Sequence, residues 1–430
     1  MLIRNITNQQ RFYSSKIISN NNVDIAIVGG GIIGSATARK LKLEKPNLKI
    51  ALFEKENILA KHQTGHNSGV LHAGIYYKPG TLKAKLCVEG IDLAYKYCDE
   101  KNIPYKRVGK LIVAVEPHEI PILNDLYGRA QKNNCKGIEM VDDVKIREIE
   151  PNCRGLKAIW SPYTGIVDFG VVSRSYAKDF EENGGNIFLN HELCGVSLGS
   201  EPNYPVSLKF RNNPNIVNAK YIITAGGLYS DRVAQMTGCS ISPKIVPFRG
   251  EYLKLKKDKS DLVRTNIYPV PDPRFPFLGV HFTPRMNGDI WLGPNAVLAY
   301  KREGYNFFDI SIPDMMDSLM YKGMQKLTLK YLGFGLNEMY NSFITSAQVK
   351  QLQRFVPSLK VSDVERGPAG VRAQALDENG NLVDDFIFDG GVGDVADRVL
   401  HVRNAPSPAA TSSLAIGNIV TEKAIEKFDL

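Results

Sequence analysis

No stretch of this sequence approaches the run of about eighteen apolar residues that a membrane-crossing helix needs. Cysteine is scarce: 6 in 430 residues, at irregular spacing and without a Cys-x-x-Cys pair. That excludes a disulfide framework and a zinc ribbon, and reads as reduced, structural thiols. The 7 histidines include no His-x-x-x-His pair on a helix, so no metal is expected. Basic blocks interleaved with aromatics are also missing, and nucleic acid is not an expected partner despite a net charge of +9. The run from Lys254 to Lys259 reads as a solvated strand end. Ser68 and Ser407 lack the partner pattern of a hydrolytic triad. There is no internal repeat and no low-complexity segment. Acid is absent from the first 22 residues, which hold Arg4, Arg11 and Lys16 among Ser, Asn and Gln. Residues 1–22 therefore read as a mitochondrial targeting leader, with Arg11-Phe12-Tyr13-Ser14-Ser15 as a processing site. Its removal would take the charge to 9 − 3 = +6.

What is present starts at Asp24. An apolar run, Ile25-Ala26-Ile27-Val28, ends in Gly29-Gly30-Gly31-Ile32-Ile33-Gly34 and leads into a helical pattern. This is the strand–turn–helix setting of the Gly-x-Gly-x-x-Gly fingerprint. Gly29 permits the tight turn, Gly31 lets the backbone approach a pyrophosphate, and Gly34 lets helix and strand pack closely. The helix then offers bare N–H groups and a positive dipole end to phosphate. A second strand, Ile50-Ala51-Leu52-Phe53, ends in Glu54, which lies 54 − 34 = 20 residues past the last glycine. A ribose-binding carboxylate belongs at that distance.

The chain is long enough for two or three domains. After Glu54 comes a glycine-punctuated loop, Ala60 to Tyr77, with His62, His66 and His72; long ordered loops of this kind usually carry function. Helices are expected over 83–101, 118–133, 171–182, 313–331, 347–355 and 409–427, the last beginning just after Pro408. Strands are expected at 109–115, 186–190, 206–210, 221–227, 246–252, 279–285, 289–293 and 400–404. Small-residue contacts thus recur at Gly29–Gly34, Ala225–Gly227 and Ala409–Ser413. A cofactor clasped by both ends of a chain suits a flavin better than a nicotinamide. The N-terminus of the last helix would stabilise an anionic reduced flavin.

These motifs, together with His62 to Val70, Tyr76 to Gly80, Val246 to Gly250, Pro273 to Arg285, Trp291 to Ala296, Arg366 to Gln374 and His401 to Thr411, resemble the D-amino-acid-oxidase-like FAD oxidoreductases over nearly the whole chain after the leader. The resemblance implies an α/β fold: a Rossmann-type FAD-binding domain and an α+β substrate domain built on an antiparallel sheet. The FAD domain is expected to be discontinuous, over 23–103, 164–240 and 365–430, with the substrate domain over 104–163 and 241–364. It further implies FAD-dependent oxidation of the dicarboxylate L-2-hydroxyglutarate to 2-oxoglutarate in mitochondria. A related flavoenzyme acting on another small amino or hydroxy acid is the alternative. The electron acceptor is left open among quinone, an electron-transfer flavoprotein and oxygen, as is peripheral attachment to the inner membrane.

Site residues follow from the chemistry. Oxidation of a 2-hydroxy acid needs a base for the hydroxyl proton, and histidine suits working pH. His281 is the first candidate, because the resemblance sets it in the Tyr/His-x-x-Pro-Arg position that faces the flavin in similar oxidases, with His66, His72 and His401 as rivals. A dicarboxylate calls for arginine forks, and Arg249, Arg372 and Arg403 are the candidates. Tyr252, Tyr76 and Asn404 stand beside them. The resemblance places the cofactor against Gly29, Gly31, Ile32, Ile33, Gly34, Glu54, Lys55, Thr64, His66, Asn67, Ser68, Gly69, Val70, Ala225, Gly226, Ser407, Ala409, Ala410 and Thr411.

Overall fold

The computed structural model describes residues 21–211, 213–272, 279–306, 308–331 and 344–430. Most of the expected leader, and the stretch Pro273 to Leu278, lie outside the described residues. Two compact units are formed, one by the described residues of Met1–Gly65 with Phe169–Ile245 and Asp385–Leu430, the other by His66–Asp168 with Val246–Asp384. The divisions fall at different residues from those expected. Residues 66–103 and 365–384, read from sequence as nucleotide-binding, belong to the second unit.

In the first unit, strand Asn22–Val28 is central. It runs parallel to Ile50–Phe53 on one side and to Asn213–Thr224 on the other. Asn186–Phe188 continues the parallel order beyond Ile50–Phe53. Val399–Asn404 lies parallel to the end of Asn213–Thr224, and Leu193–Leu198 and Val206–Phe210 complete an antiparallel edge. The central strands are buried on both faces, as parallel strands covered by helices are, and their unbroken Ile/Val/Leu/Phe runs follow from that. Helix Ile32–Glu44 packs beside Ser413–Phe428, where Gly417 lies against the backbone of Ala36 and a Cβ would crowd it. The C-terminal helix begins at Ser413, not at Ala409 as expected. Residues 405–412 instead close turns, with Ala409 N–H donating to Pro406 O and Ser412 N–H to Pro408 O.

The second unit is built on an eight-stranded sheet. Its order is Val364–Leu376, Lys244–Leu255, Ile290–Leu298, His281–Pro284, Asn266–Pro269, Lys110–Ala114, Lys157–Ser161, Glu139–Asp142. Asn266–Pro269 and Lys110–Ala114 run parallel, and the other neighbours from Lys244–Leu255 through to Glu139–Asp142 pair antiparallel. Alternation along these strands separates two faces. Leu111, Val113, Ile267, Phe282, Leu292 and Leu253 point into one apolar core, packed by Val349, Leu352 and Phe355. Their neighbours Lys110, Tyr268, His281, Trp291 and Tyr252 therefore share the other face. The single expected helix over 313–331 is two, Ile312–Leu319 and Lys322–Lys330, broken at Met320–Tyr321. Among the described residues no helix is long and apolar enough to cross a membrane.

Candidate active site

The glycine turn of the first unit does what its spacing requires. Gly29 has φ of +112°, a conformation that side-chain-bearing residues rarely adopt. At Gly29 and Gly34 a Cβ would collide with Ala225 O and Gly29 O respectively, so both glycines serve close backbone packing. Gly31 differs: the nearest atom to its would-be Cβ is Thr64 Oγ1 at 3.4 Å, which leaves room before the helix N-terminus. Thr64 Oγ1 accepts the Ile32 N–H at 3.0 Å. The Glu54 carboxylate is buried at the end of its strand, accepting Gly30 N–H at 2.6 Å and Glu56 N–H at 2.9 Å. Burial raises its pKa, partly offset by those N–H donors. The turn, the open space at Gly31 and the buried acid fit the adenine-nucleotide half of a dinucleotide. Lys55 Nζ lies 4.4 Å from the Tyr229 ring centroid. Ala225 and Gly226 are half-buried at the end of their strand, Ala409 and Ala410 half-buried in the turn, Thr411 buried and Ser407 exposed.

The second unit assembles most of the proposed chemistry on one sheet face. The pairing of Ile267 with Phe282 makes Tyr268 and His281 cross-strand neighbours, and their rings stack at 3.9 Å and 24°. His281 Nδ1 lies 3.0 Å from Gly279 O. A carbonyl only accepts, so Nδ1 carries the proton and the Nε2 lone pair of the neutral ring is left as a base. Burial, with Lys110 and Arg372 nearby, brings its pKa down to about 3 against the pull of the Gly279 carbonyl. His72 is likewise lowered, by burial first and then by Lys110 and His281. His66 stacks at 4.0 Å on Tyr305, with its Nδ1 3.2 Å from Ala369 O.

The three arginines separate clearly. Arg372 is open to solvent, yet desolvation lowers its pKa, with Tyr252, Tyr77 and Asp384 opposing. Arg249 is buried against its own strand, its Nη2 2.7 Å from Glu251 Oε1 and its Nη1 donating to Asn306 O. Arg403 belongs to the first unit. Its Nη1 lies 3.0 Å from Asp389 Oδ2, and its Nη2 donates to Ser240 O at 2.9 Å and Pro243 O at 3.2 Å. These bonds occupy Arg249 and Arg403 as structural ion pairs. His401 is also in the first unit, held between the hydroxyls of Thr224 and Thr237 at 2.7 Å each, and Asn404 donates to Asp385 O. Tyr252 packs against Trp291 and feels both Arg372 and Arg285.

Two residues of this face escaped sequence reasoning. Lys110, which the sequence places only within the strand 109–115, is 2% exposed. Arg285 donates to Asn67 O at 2.9 Å and lies 4.1 Å over Trp291. Gly69, at φ +72°, leaves no room for a side chain beside that guanidinium. Asn67 Oδ1 accepts the Gly69 N–H, Ser68 is half-buried, and Val70 pairs with Ile166. Arg285 thus pins the loop that the resemblance assigned to the cofactor.

A family model for FAD dependent oxidoreductases matches residues 24–423. The chain belongs to the FAD dependent oxidoreductases. Proteins named mitochondrial L-2-hydroxyglutarate dehydrogenase are 63% identical in Caenorhabditis elegans (95% of this chain, 94% of that one) and 54% identical in Homo sapiens (97% and 91%). Among solved structures, the FAD-bound L-alpha-glycerophosphate oxidase of Mycoplasma pneumoniae superposes with a TM-score of 0.74 at 23% identity, covering 95% of both chains, and shows the shared fold. Membership in this family settles the cofactor class that the glycine turn left open. The FAD dependent oxidoreductase fold expected from sequence, an α/β nucleotide-binding sheet with a second sheet-based part, is the one observed.

Proposed function

We propose that this chain is a mitochondrial FAD-dependent dehydrogenase that oxidises L-2-hydroxyglutarate to 2-oxoglutarate. The observation that carries the reading is the 63% identity across 95% of the chain to a protein of that name. The polar face of the second unit suits it chemically. Bound FAD supplies a two-electron acceptor for the hydride that leaves C2. Gly29, Gly31, Thr64 and Glu54 would hold the nucleotide half of FAD.

The remaining chemistry belongs to the second unit. His281 Nε2 takes the hydroxyl proton as the C2–H bond breaks, so that the alcohol loses one hydride and one proton in total. The Gly279 carbonyl fixes the tautomer that makes this possible. Tyr268 holds the imidazole plane by stacking. Arg372 offers a planar two-donor fork to a substrate carboxylate, which a lysine could not copy. Tyr252 stands beside it, and Arg285 fixes the Asn67–Gly69 loop.

The experiment is a steady-state comparison of the FAD-loaded protein with L-2-hydroxyglutarate, L-lactate, glycine and glycerol 3-phosphate, using an artificial dye as acceptor. The reading expects kcat/KM for L-2-hydroxyglutarate to exceed the others by at least about 100-fold, the scale of a lost buried charge pair. A preference for any of the other three overturns it. The same assay with a quinone, an electron-transfer flavoprotein and oxygen identifies the acceptor, and repeating it with liposomes of inner-membrane composition tests attachment.

A further inference from the structure

The ammonium of Lys110 is the anomaly of this face. It heads a strand whose register sets Lys110 against Asn266 and Ile112 against Tyr268. That places its Nζ 4.2 Å from the Tyr268 ring centroid and 5.6 Å from that of Tyr76. Nζ also lies 3.3 Å from His72 Nδ1. His72 and Tyr76 face it from the loop, Cys87 from helix Leu82–Glu100, and Tyr268 and His281 from the adjacent strands. None of these is a carboxylate. Among the described residues no acid acts on Lys110, and the Tyr76 hydroxyl is buried without a hydrogen-bond partner. A buried cation without a counter-charge is costly unless a ligand supplies one.

We propose that Lys110 binds a carboxylate of the substrate and takes up a proton from solvent as it does so, sharing that proton with His72. The inference rests on the dicarboxylate reading above. Two cations, Lys110 and Arg372, both act on His281, and a dicarboxylate brings two negative charges. In the ligand-free site, burial lowers the lysine pKa to about 7. Much of it is then neutral above that pH, and its lone pair can accept the His72 Nδ1–H. An arriving carboxylate favours the ammonium, so one proton enters per ligand bound and leaves again with the product. The charged amine can only donate, so His72 Nδ1 becomes the acceptor and the ring proton sits on Nε2.

The test is calorimetric titration of the FAD-loaded full chain with 2-oxoglutarate in phosphate and in Tris, whose ionisation heats differ. At about pH 8 the proposal expects uptake approaching one proton per ligand, and little at about pH 6. The Kd should rise about 10-fold per pH unit above pH 7. Lys110→Met conserves volume without charge and should weaken binding at pH 7 by 10-fold or more while abolishing the uptake. Lys110→Arg should keep the binding and lose the uptake. Should either variant fail to fold, the wild-type buffer comparison decides alone. Binding with a buffer-independent heat at pH 8 overturns this inference and leaves the dicarboxylate reading intact. No saturable binding of 2-oxoglutarate at millimolar concentration overturns both.

Discussion

Replacing His281 by glutamine removes the proposed base while keeping a side chain that can still donate to Gly279 O. The histidine is 6% exposed and its pKa is brought down to about 3, so in the free enzyme it is neutral throughout the working range. A base so weak would take a proton poorly. The bound substrate corrects this, because a carboxylate within about 4–6 Å raises such a pKa by about 1–3 pH units. The acid limb of kcat, which reports the complex, should therefore lie at higher pH than that of kcat/KM, which reports the free enzyme. The assay is anaerobic stopped-flow reduction of the flavin absorbance between about pH 5 and pH 8, which isolates the chemical step. His281→Gln should keep its FAD and reduce it about 10²–10⁴-fold more slowly, the usual loss of a general base. It should also lose the acid limb. Near wild-type reduction in the variant, or an unchanged acid limb, would refute the assignment and shift the role to His72.

Three further outcomes are expected. Arg372→Lys should raise KM for L-2-hydroxyglutarate by about 10-fold or more, with a smaller effect on kcat, because a point charge cannot replace the two-donor fork; steady-state kinetics checks this. Glu54→Ala removes a carboxylate that receives two backbone N–H groups, and a charged hydrogen bond of about 1.5–3 kcal/mol translates to about 10–100-fold weaker FAD binding, read by fluorescence titration. His401 titrates near pH 6.5 when unfolded but only at about 4 when folded. Stability that it contributes above pH 6.5 is therefore lost as the pH falls toward 4, by about 3 kcal/mol in all. Denaturant melts at pH 7 and pH 4.5 should show a smaller difference in His401→Asn than in the wild type.

The glycine turn and the acid that meets it are legible in the sequence because their constraints are local. A strand, three glycines and an acid at fixed spacing leave few other readings, and Glu54 meets the turn as expected. Strand periodicity likewise placed His281 on a strand of the second unit. What was hidden depends on register between strands far apart in sequence. Lys110 meets Tyr268 only because residues 110–113 pair with 266–269 across more than 150 positions, which no local pattern around Lys110 announces. The arginines were hidden for the opposite reason. Arg249, Arg372 and Arg403 look alike in sequence, and only the structure shows Arg249 paired with Glu251 and Arg403 with Asp389. The start of the last helix was misjudged because Pro408 permits a helix without requiring one, and the backbone bonds of residues 405–412 form turns first.

The central claim, that this protein draws electrons from one enantiomer of one dicarboxylate, has a direct measurement. The purified, FAD-loaded protein is mixed anaerobically with L-2-hydroxyglutarate or with the D-enantiomer, and the visible flavin absorbance is followed. Bleaching by the L form, with 2-oxoglutarate formed in equal amount to the flavin reduced, and no bleaching by the D form is the predicted result. Bleaching by both enantiomers, or by neither, would contradict it.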